Sequence, residues 1–342
     1  MNLKELSEKL GLSQTTVSRA LNGYPEVSET TRKRVVAAAR AANYSPSTRA
    51  RSLATGRAMS IGHVIPVATR HEMVNPVFGD FIAGASEVYA VAGYEMLLSL
   101  VPDGEEEDVY RALKAKAAVD GIVVHAPRMA DPRIALLDEL ALPFVVHGRA
   151  SEIDTPYSWV DVPNRGVFRE ATDHLTSQGH TRIALINGQE TMDFAFRRRL
   201  GFEDALADAN LSVDARWMHA QDMTEAYGYE ATCAMLAMSP APTAFLVASL
   251  ITALGVQRAV IDAGFRLGKD VSVLTFDDDL SYLRNGTGEN AIFTAVRSSV
   301  RDAGRTAANM LLERIENPNV AHKTHMMDTQ FVVGGSTGPA PD

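Results

Sequence analysis

The chain holds 342 residues, more than one ordinary domain and suited to two or three of ~100 to 200 residues each. Its 46% hydrophobic content can fill real cores, yet no apolar run approaches the ~18 residues that span a bilayer, and Lys4, Glu5, Glu8, Lys9 and Arg19 occupy the place of a secretory segment. The lone Cys233 excludes an internal disulfide, and the net charge of −9 argues against nucleic acid until its distribution is read: residues 1–57 carry ten Lys/Arg against four Asp/Glu, while the rest is acidic. The expectation is a cytoplasmic protein with no membrane partner, whose basic end meets a polyanion and whose acidic body stays clear of it.

Three short helical patterns open the chain. Leu3, Leu6 and Leu10 recur at helical spacing, and Gly11 supplies a stop where a positive φ is expected. Ser13 begins a second helix with Val17, Ala20 and Leu21 inward. A third runs from a Ser28 cap through Val35, Val36 and Ala39 to Asn43, and Pro46 closes the module. From about Ser60 apolar runs alternate with amphipathic helices. Candidate strands are Ile61–Val67, Glu95–Leu100, Gly121–His125, Phe144–His147, Ile183–Asn187, Ala244–Val247 and Val271–Phe276. The fold class is therefore an all-α N-terminal domain followed by an α/β body of doubly wound parallel sheets, long enough for two lobes with a cleft. The Gly/Pro-containing tail from Gly334 is expected to fray.

The segment Leu6 to Asn22 has the physics of a helix-turn-helix. Small Ser7 allows a close helix crossing, Gly11 makes the turn, and Leu12 and Val17 fill the junction. Its outward face is Gln14, Thr15, Ser18, Arg19 and Asn22. Gln and Arg make bidentate contacts to adenine and guanine edges, and hydroxyls at a helix start, here Ser13 and Thr16, suit phosphates.

These residues, with Ser18-Arg19-Ala20-Leu21-Asn22, Val27-Ser28, Thr31-Arg32, Asn43-Tyr44-Ser45-Pro46 and Leu53-Ala54, resemble the LacI/GalR family of repressors. The resemblance implies operator DNA as partner, base reading by Gln14, Thr15 and Arg19, and phosphate contacts by Ser28 and Thr31. It divides the chain into a headpiece (1–45), a hinge helix (46–57) and an effector-binding body (58–342). Within the hinge it implies minor-groove insertion by Leu53, with Arg49 beside it. A helix of about nine residues is marginal in water, so the hinge is expected to order only when held.

The resemblance continues through Ile61-Gly62, Asn75-Pro76-Val77-Phe78, Val119-Asp120-Gly121-Ile122, Gly179-His180, Arg198 with Gly201-Phe202, and Phe276-Asp277-Asp278. It implies a fold like that of periplasmic sugar-binding proteins, with three crossovers and lobes of about 58–159 with 292–322 and 160–291 with 323–342. It places Phe78, Asp161, Arg198, Ser249 and Asp277 around a small sugar effector, with no other cofactor. Asp278 and Asp279 are read as loop capping or solvated. Ser249-Leu250 and His147-Gly148-Arg149 depart from the common pattern, and the latter leans toward a maltose-like α-glucoside.

Rival functions lack their residues. Asp277-Asp278-Asp279 cannot all face one ion, His322 and His325 lie in a terminal segment, and Gly264 to Lys269 falls short of a phosphate loop and reads as a turn into the next strand. A sugar-transport protein would be exported, against the basic helical start. The expected protein is a homodimeric repressor released from a pseudo-palindromic operator by a sugar.

Overall fold

Gly11 decides how the N-terminal unit begins. In the computed structural model, which describes residues 1–21, 24–44, 56–66, 76–102, 104–287 and 290–341, helix α1 (Leu3–Leu10) ends where Gly11 takes φ +63° and returns its N–H to Glu8. Asn2 and Glu5 form a reciprocal capping box at its start. Helix α2 (Gln14–Leu21) starts on Ser13, whose hydroxyl accepts from the Thr16 amide at 3.0 Å. Helix α3 (Glu29–Ala41) starts on Ser28, which accepts from the Thr31 amide at 3.3 Å. It stops short of the expected Asn43, which sits at φ 48° while Tyr44 bonds back to Ala39. Leu6, Val17, Ala20, Val27, Val35 and Ala39 make the core. Asn22, Pro46 and the hinge residues Arg49 and Leu53 lie outside the described residues.

The chain divides into two compact units, Met1–Met59 with Ala117–Val119, and Ser60–Lys116 with Asp120–Asp342. In the second unit the chain runs β1 (Ser60–Pro66), α4 (Pro76–Ala92), β2 (Glu95–Val101), α5 (Glu106–Ala115), β3 (Gly121–His125), α6 (Pro132–Glu139), β4 (Phe144–His147) and β5 (Trp159–Asp161). It crosses to α7 (Asn164–Ser177), β6 (Ile183–Asn187), α8 (Asp193–Asp208), β7 (Met218–Ala220), α9 (Glu225–Leu236), β8 (Ala244–Val247), α10 (Leu250–Asp262), β9 (Ser272–Asp277) and β10 (Thr294–Arg297). It returns through α11 (Val300–Glu316) and β11 (Thr324–Met326), then crosses again to β12 (Gln330–Val332). The first sheet, β11-β5-β4-β3-β1-β2, is parallel; the second, β12-β10-β9-β8-β6-β7, is parallel except for β12. Both faces are covered, which is why β3, β6 and β8 are buried along their whole length and read as unbroken apolar runs. Helices α4 and α11 close the first lobe backbone to backbone. A Cβ at Gly84 would lie 2.0 Å from the Arg301 carbonyl, and one at Gly304 2.1 Å from that of Phe81.

Two expectations are corrected. The crossovers fall at 161–164, 297–300 and 326–330, so β5 and β11 belong to the first sheet and β10 to the second, against the lobe limits at 159/160, 292 and 322/323. Three-residue β5 and β11 carry too little period-2 pattern to be seen in a sequence, and β10, Thr294 to Arg297, lacks the unbroken apolar run that marks β4 and β8. The tail does not fray: the buried Ser336 hydroxyl accepts from the Thr294 amide at 2.9 Å and bonds the Val273 carbonyl, and Gly338 is bonded to His180 and Ser272. Its glycines serve close approach, since a Cβ on Gly334 would meet Phe293 backbone at 2.4 Å.

Ser336→Ala leaves a buried amide and a buried carbonyl without that partner. Urea denaturation should show a loss of ~1–3 kcal/mol; an unchanged midpoint would show that the tail docks without contributing.

Candidate functional site

The second unit has a cavity of about 210 Å³ between its two sheets. Strand residues reach it at their carboxyl ends: Ile65 on β1, His125 on β3, His147 on β4, Asp161 on β5 and Phe276 on β9. Parallel α/β sheets open their ligand crevices at this end. All three crossovers contribute as well, through Val162 and Asn164, Ser298 and Ser299, and Met327. They are tied together, since Met327 donates its amide to the Asp161 carbonyl at 2.8 Å and the Ser298 hydroxyl donates to the Asp328 carbonyl at 2.9 Å.

Arg198 on α8 is the most constrained side chain in the cleft. Its guanidinium is buried among Phe168, Phe194 and Phe276, 4.3 Å from the Phe276 ring centre. It donates to the Asn164 amide oxygen at 2.8 Å and to the Ala248 carbonyl at 2.6 Å, both neutral acceptors. Burial pushes its pKa down to about 10. The neighbouring Asp278 is half-buried, and the loss of water around its carboxyl pushes that group up to about 7 despite the Arg198 charge.

A second polar chain joins the lobes. Asp193, at the start of α8, accepts from the Ser151 amide at 2.8 Å, from the Ser151 hydroxyl and from Arg197. Its own amide donates to the Pro127 carbonyl at 3.0 Å. Arg197 pairs at 2.8 Å with Asp161, which also accepts from Asn164 at 3.0 Å and lies 3.3 Å from Arg149. Asp161 thus sits beside two cations and holds the amide that holds Arg198.

The third feature is aromatic. Phe78, from the first turn of α4, and Phe81 meet the His125 ring edge to face at 5.0 Å, and His147 stacks on Phe81 at 4.2 Å. Burial lowers the pKa of His147 to about 4 and that of His125 well below its ordinary value, so both stay neutral. Arg133, bonded to Asp131 at 2.7 Å, donates to the His125 and Ala126 carbonyls and fixes the loop leaving β3.

Of the residues singled out in the sequence, Phe78, Asp161 and Arg198 line this cavity and Asp277 and Ser249 do not. The Asp277 carboxylate takes the Asp279 amide at 3.0 Å and Arg297 at 2.9 Å. Successive side chains alternate at the end of a strand, so Asp278 faces the cleft instead, against its reading as capping or solvated. The Ser249 hydroxyl caps α10 through the Ile251 amide at 3.2 Å; the neighbouring Ala248 meets the cleft. Arg149, of the His147-Gly148-Arg149 segment, also lines the cavity, as do Asn164, Phe194 and His125, which no sequence motif marks; His125 closes the strand β3, so the carboxyl-end rule points to it. Among the described residues no group of three or more His, Cys, Asp or Glu could hold a metal ion.

In the first unit Gln14, Thr15 and Arg19 are exposed on α2 with Ser18 half-buried beside them. Ser13 with Thr16, and Ser28 with Thr31, form hydroxyl pairs at 2.8 and 2.9 Å over the starts of α2 and α3.

The profile described as bacterial regulatory proteins, lacI family, matches residues 2–47, and that of a periplasmic binding protein-like domain matches residues 172–337. The HTH-type transcriptional regulator AglR of Rhizobium meliloti (strain 1021) is 42% identical over 342 residues, 100% of this chain and 96% of the relative. The chain belongs to the lacI family of bacterial regulatory proteins. It is a transcriptional regulator with a helix-turn-helix and a two-lobed body, not an enzyme. Among solved members, a complex of transcriptional regulator CelR with cellobiose aligns at a TM-score of 0.72 and 27% identity over 98% of this chain and 99% of that one. The lac repressor dimer bound to operator and the anti-inducer ONPF aligns at 0.83 and 25% over 99% of each. No helix among the described residues is long and apolar enough to cross a membrane.

A carboxyl whose folded pKa is raised adds stability that is fully present below its unfolded value, here 3.8, and is lost as pH rises through the folded value, here about 7. Asp278→Asn imitates the protonated form. Relative to wild type it should gain stability steadily between those two values, by a few kcal/mol at most, and hold a constant advantage above them; parallel pH profiles for the two proteins would place Asp278 in water.

Proposed function

We propose that the protein is a cytoplasmic homodimeric repressor of carbohydrate use, that α2 reads a pseudo-palindromic operator, and that a neutral sugar in the cleft, an α-glucoside by preference, releases it. The observation that carries the sugar reading is the composition of the cleft. It offers a buried guanidinium, a carboxyl and an amide beside Phe78 and neutral imidazoles, which suits hydroxyls around an apolar ring face. The cellobiose complex of a relative supports the same class of ligand.

For DNA, the exposed Gln14, Thr15 and Arg19 supply bidentate donors and acceptors on a helix face, with capped hydroxyls at two helix starts. For the dimer, β2 is an edge strand that leaves Leu98 and Leu100 exposed, an apolar edge that a second subunit can cover. A sugar closing the two lobes shifts the population toward a state in which the hinge, with Leu53 and Arg49, no longer orders on DNA. No other cofactor is required.

Mobility shift on the protein's own upstream DNA at fixed salt, repeated with mono- and disaccharides, tests both halves. A specific shift reversed by one neutral sugar is the expected result; a shift unmoved by all of them would end the sugar reading. Arg19→Ala should cost ~1–3 kcal/mol on the operator and relax base preference. Equal weakening on every sequence would make Arg19 a phosphate contact.

A further inference from the structure

Beneath the aromatic wall of the cleft lies a chain of three buried groups that the proposed reading leaves unused. His63 on β1 is fully buried, with its Nδ1 3.0 Å from Nε2 of His125 and its Nε2 3.3 Å from the hydroxyl of Tyr89 near the end of α4. Between two ring nitrogens 3.0 Å apart there is room for one proton, so one ring donates and the other accepts. Two arrangements are possible, and the phenol chooses between them. If His63 donated from Nε2, the Tyr89 hydroxyl would only accept, and its own hydrogen would be buried with no partner among the described residues. If Tyr89 donates to His63 Nε2, His63 donates from Nδ1 to His125 Nε2, both hydrogens of the two buried contacts are bonded, and the one that remains, on His125 Nδ1, belongs to the ring that lines the cleft.

We infer that Tyr89 and His63 fix the tautomer of His125, so that its Nδ1 carries the proton and offers an N–H donor to an oxygen of the cleft ligand. The inference rests on the reading of the cleft as a sugar site. It makes Tyr89 and His63 positioning residues, and His125 the residue that touches the ligand. The ring cannot turn to exchange its nitrogens. It stacks on His63 at 5.2 Å and is met edge-on by Phe78 and Phe81, and its carbonyl is held by Arg133 at 3.1 Å. Burial disfavours a second proton on His63, His125 and His147, and at His125 the Arg133 charge adds to it. A fixed donor selects its partner: a hydroxyl, ring or glycosidic oxygen is accepted, and the ammonium of an amino sugar is refused.

Long-range proton–nitrogen spectra of the full chain labelled with ¹⁵N-histidine read the tautomers without any sugar. The expected result is His63 and His125 both protonated on Nδ1, with Tyr89→Phe redistributing both rings between tautomers and leaving His180 unchanged. His125 protonated on Nε2 in the wild type, or an unaltered tautomer in Tyr89→Phe, would overturn the inference. In calorimetry Tyr89→Phe should bind the operator-releasing sugar about tenfold more weakly, while holding operator as tightly as wild type when no sugar is present. Wild-type affinity in that variant would also overturn it. If no sugar binds the wild type while the tautomers are as stated, the reading of the cleft fails and the proton arrangement stands.

Discussion

A guanidinium buried away from any bonded carboxylate organises the body of this protein. Arg198 is held by an amide oxygen, a backbone carbonyl and three aromatic rings. A cation is costly to bury unless its hydrogen bonds are met, and these partners come from different places: Asn164 from the first crossover, Ala248 from the end of β8, Phe276 from the end of β9. The ends of two strands and one crossover must therefore converge on one side chain. The convergence makes a cleft whose polar groups are already aimed when a ligand arrives, so binding need not spend its energy on ordering them.

The same convergence ties the two lobes to each other across the cleft. Asp161, at the end of the first lobe, touches Asn164 and so Arg198. It also pairs with Arg197 of the second lobe, which is bonded to Asp193, which in turn takes both donors of Ser151 back in the first lobe. Opening the lobes would separate Ser151 from Asp193 and leave a buried carboxylate short of two donors. Closing them with a ligand between would keep both Ser151 donors on that carboxylate. A small molecule that fits the closed setting therefore shifts the equilibrium by the difference in its affinity for the two, and by no more than that.

Much of this was legible in the chain itself. Central strands of a parallel sheet bury both faces, so they need no alternation to be seen: Gly121–His125 and Ala244–Val247 stand out as short apolar runs between helical patterns. The headpiece is legible because Ser13, Ser28 and Gly11 are cap residues with a local job. What stayed hidden was set by tertiary contacts. The strands β5, β7, β10, β11 and β12 are only three or four residues long, and Ser336 anchors a tail whose composition reads as loose. Asp277 and Asp278 differ by one position, and only the end of the strand decides which carboxyl enters the cleft. The pairing of His63 with His125 joins residues 62 apart, beyond any local pattern.

A sugar that closes the cleft on the Arg198 junction should be visible by hydrogen exchange of the intact protein with and without α-glucosides, in the absence of DNA. With one such sugar, residues 125–131, 148–152, 192–198 and 276–279 should gain protection while α1 to α3 exchange as before. Protection elsewhere in the body with those segments unchanged would contradict it.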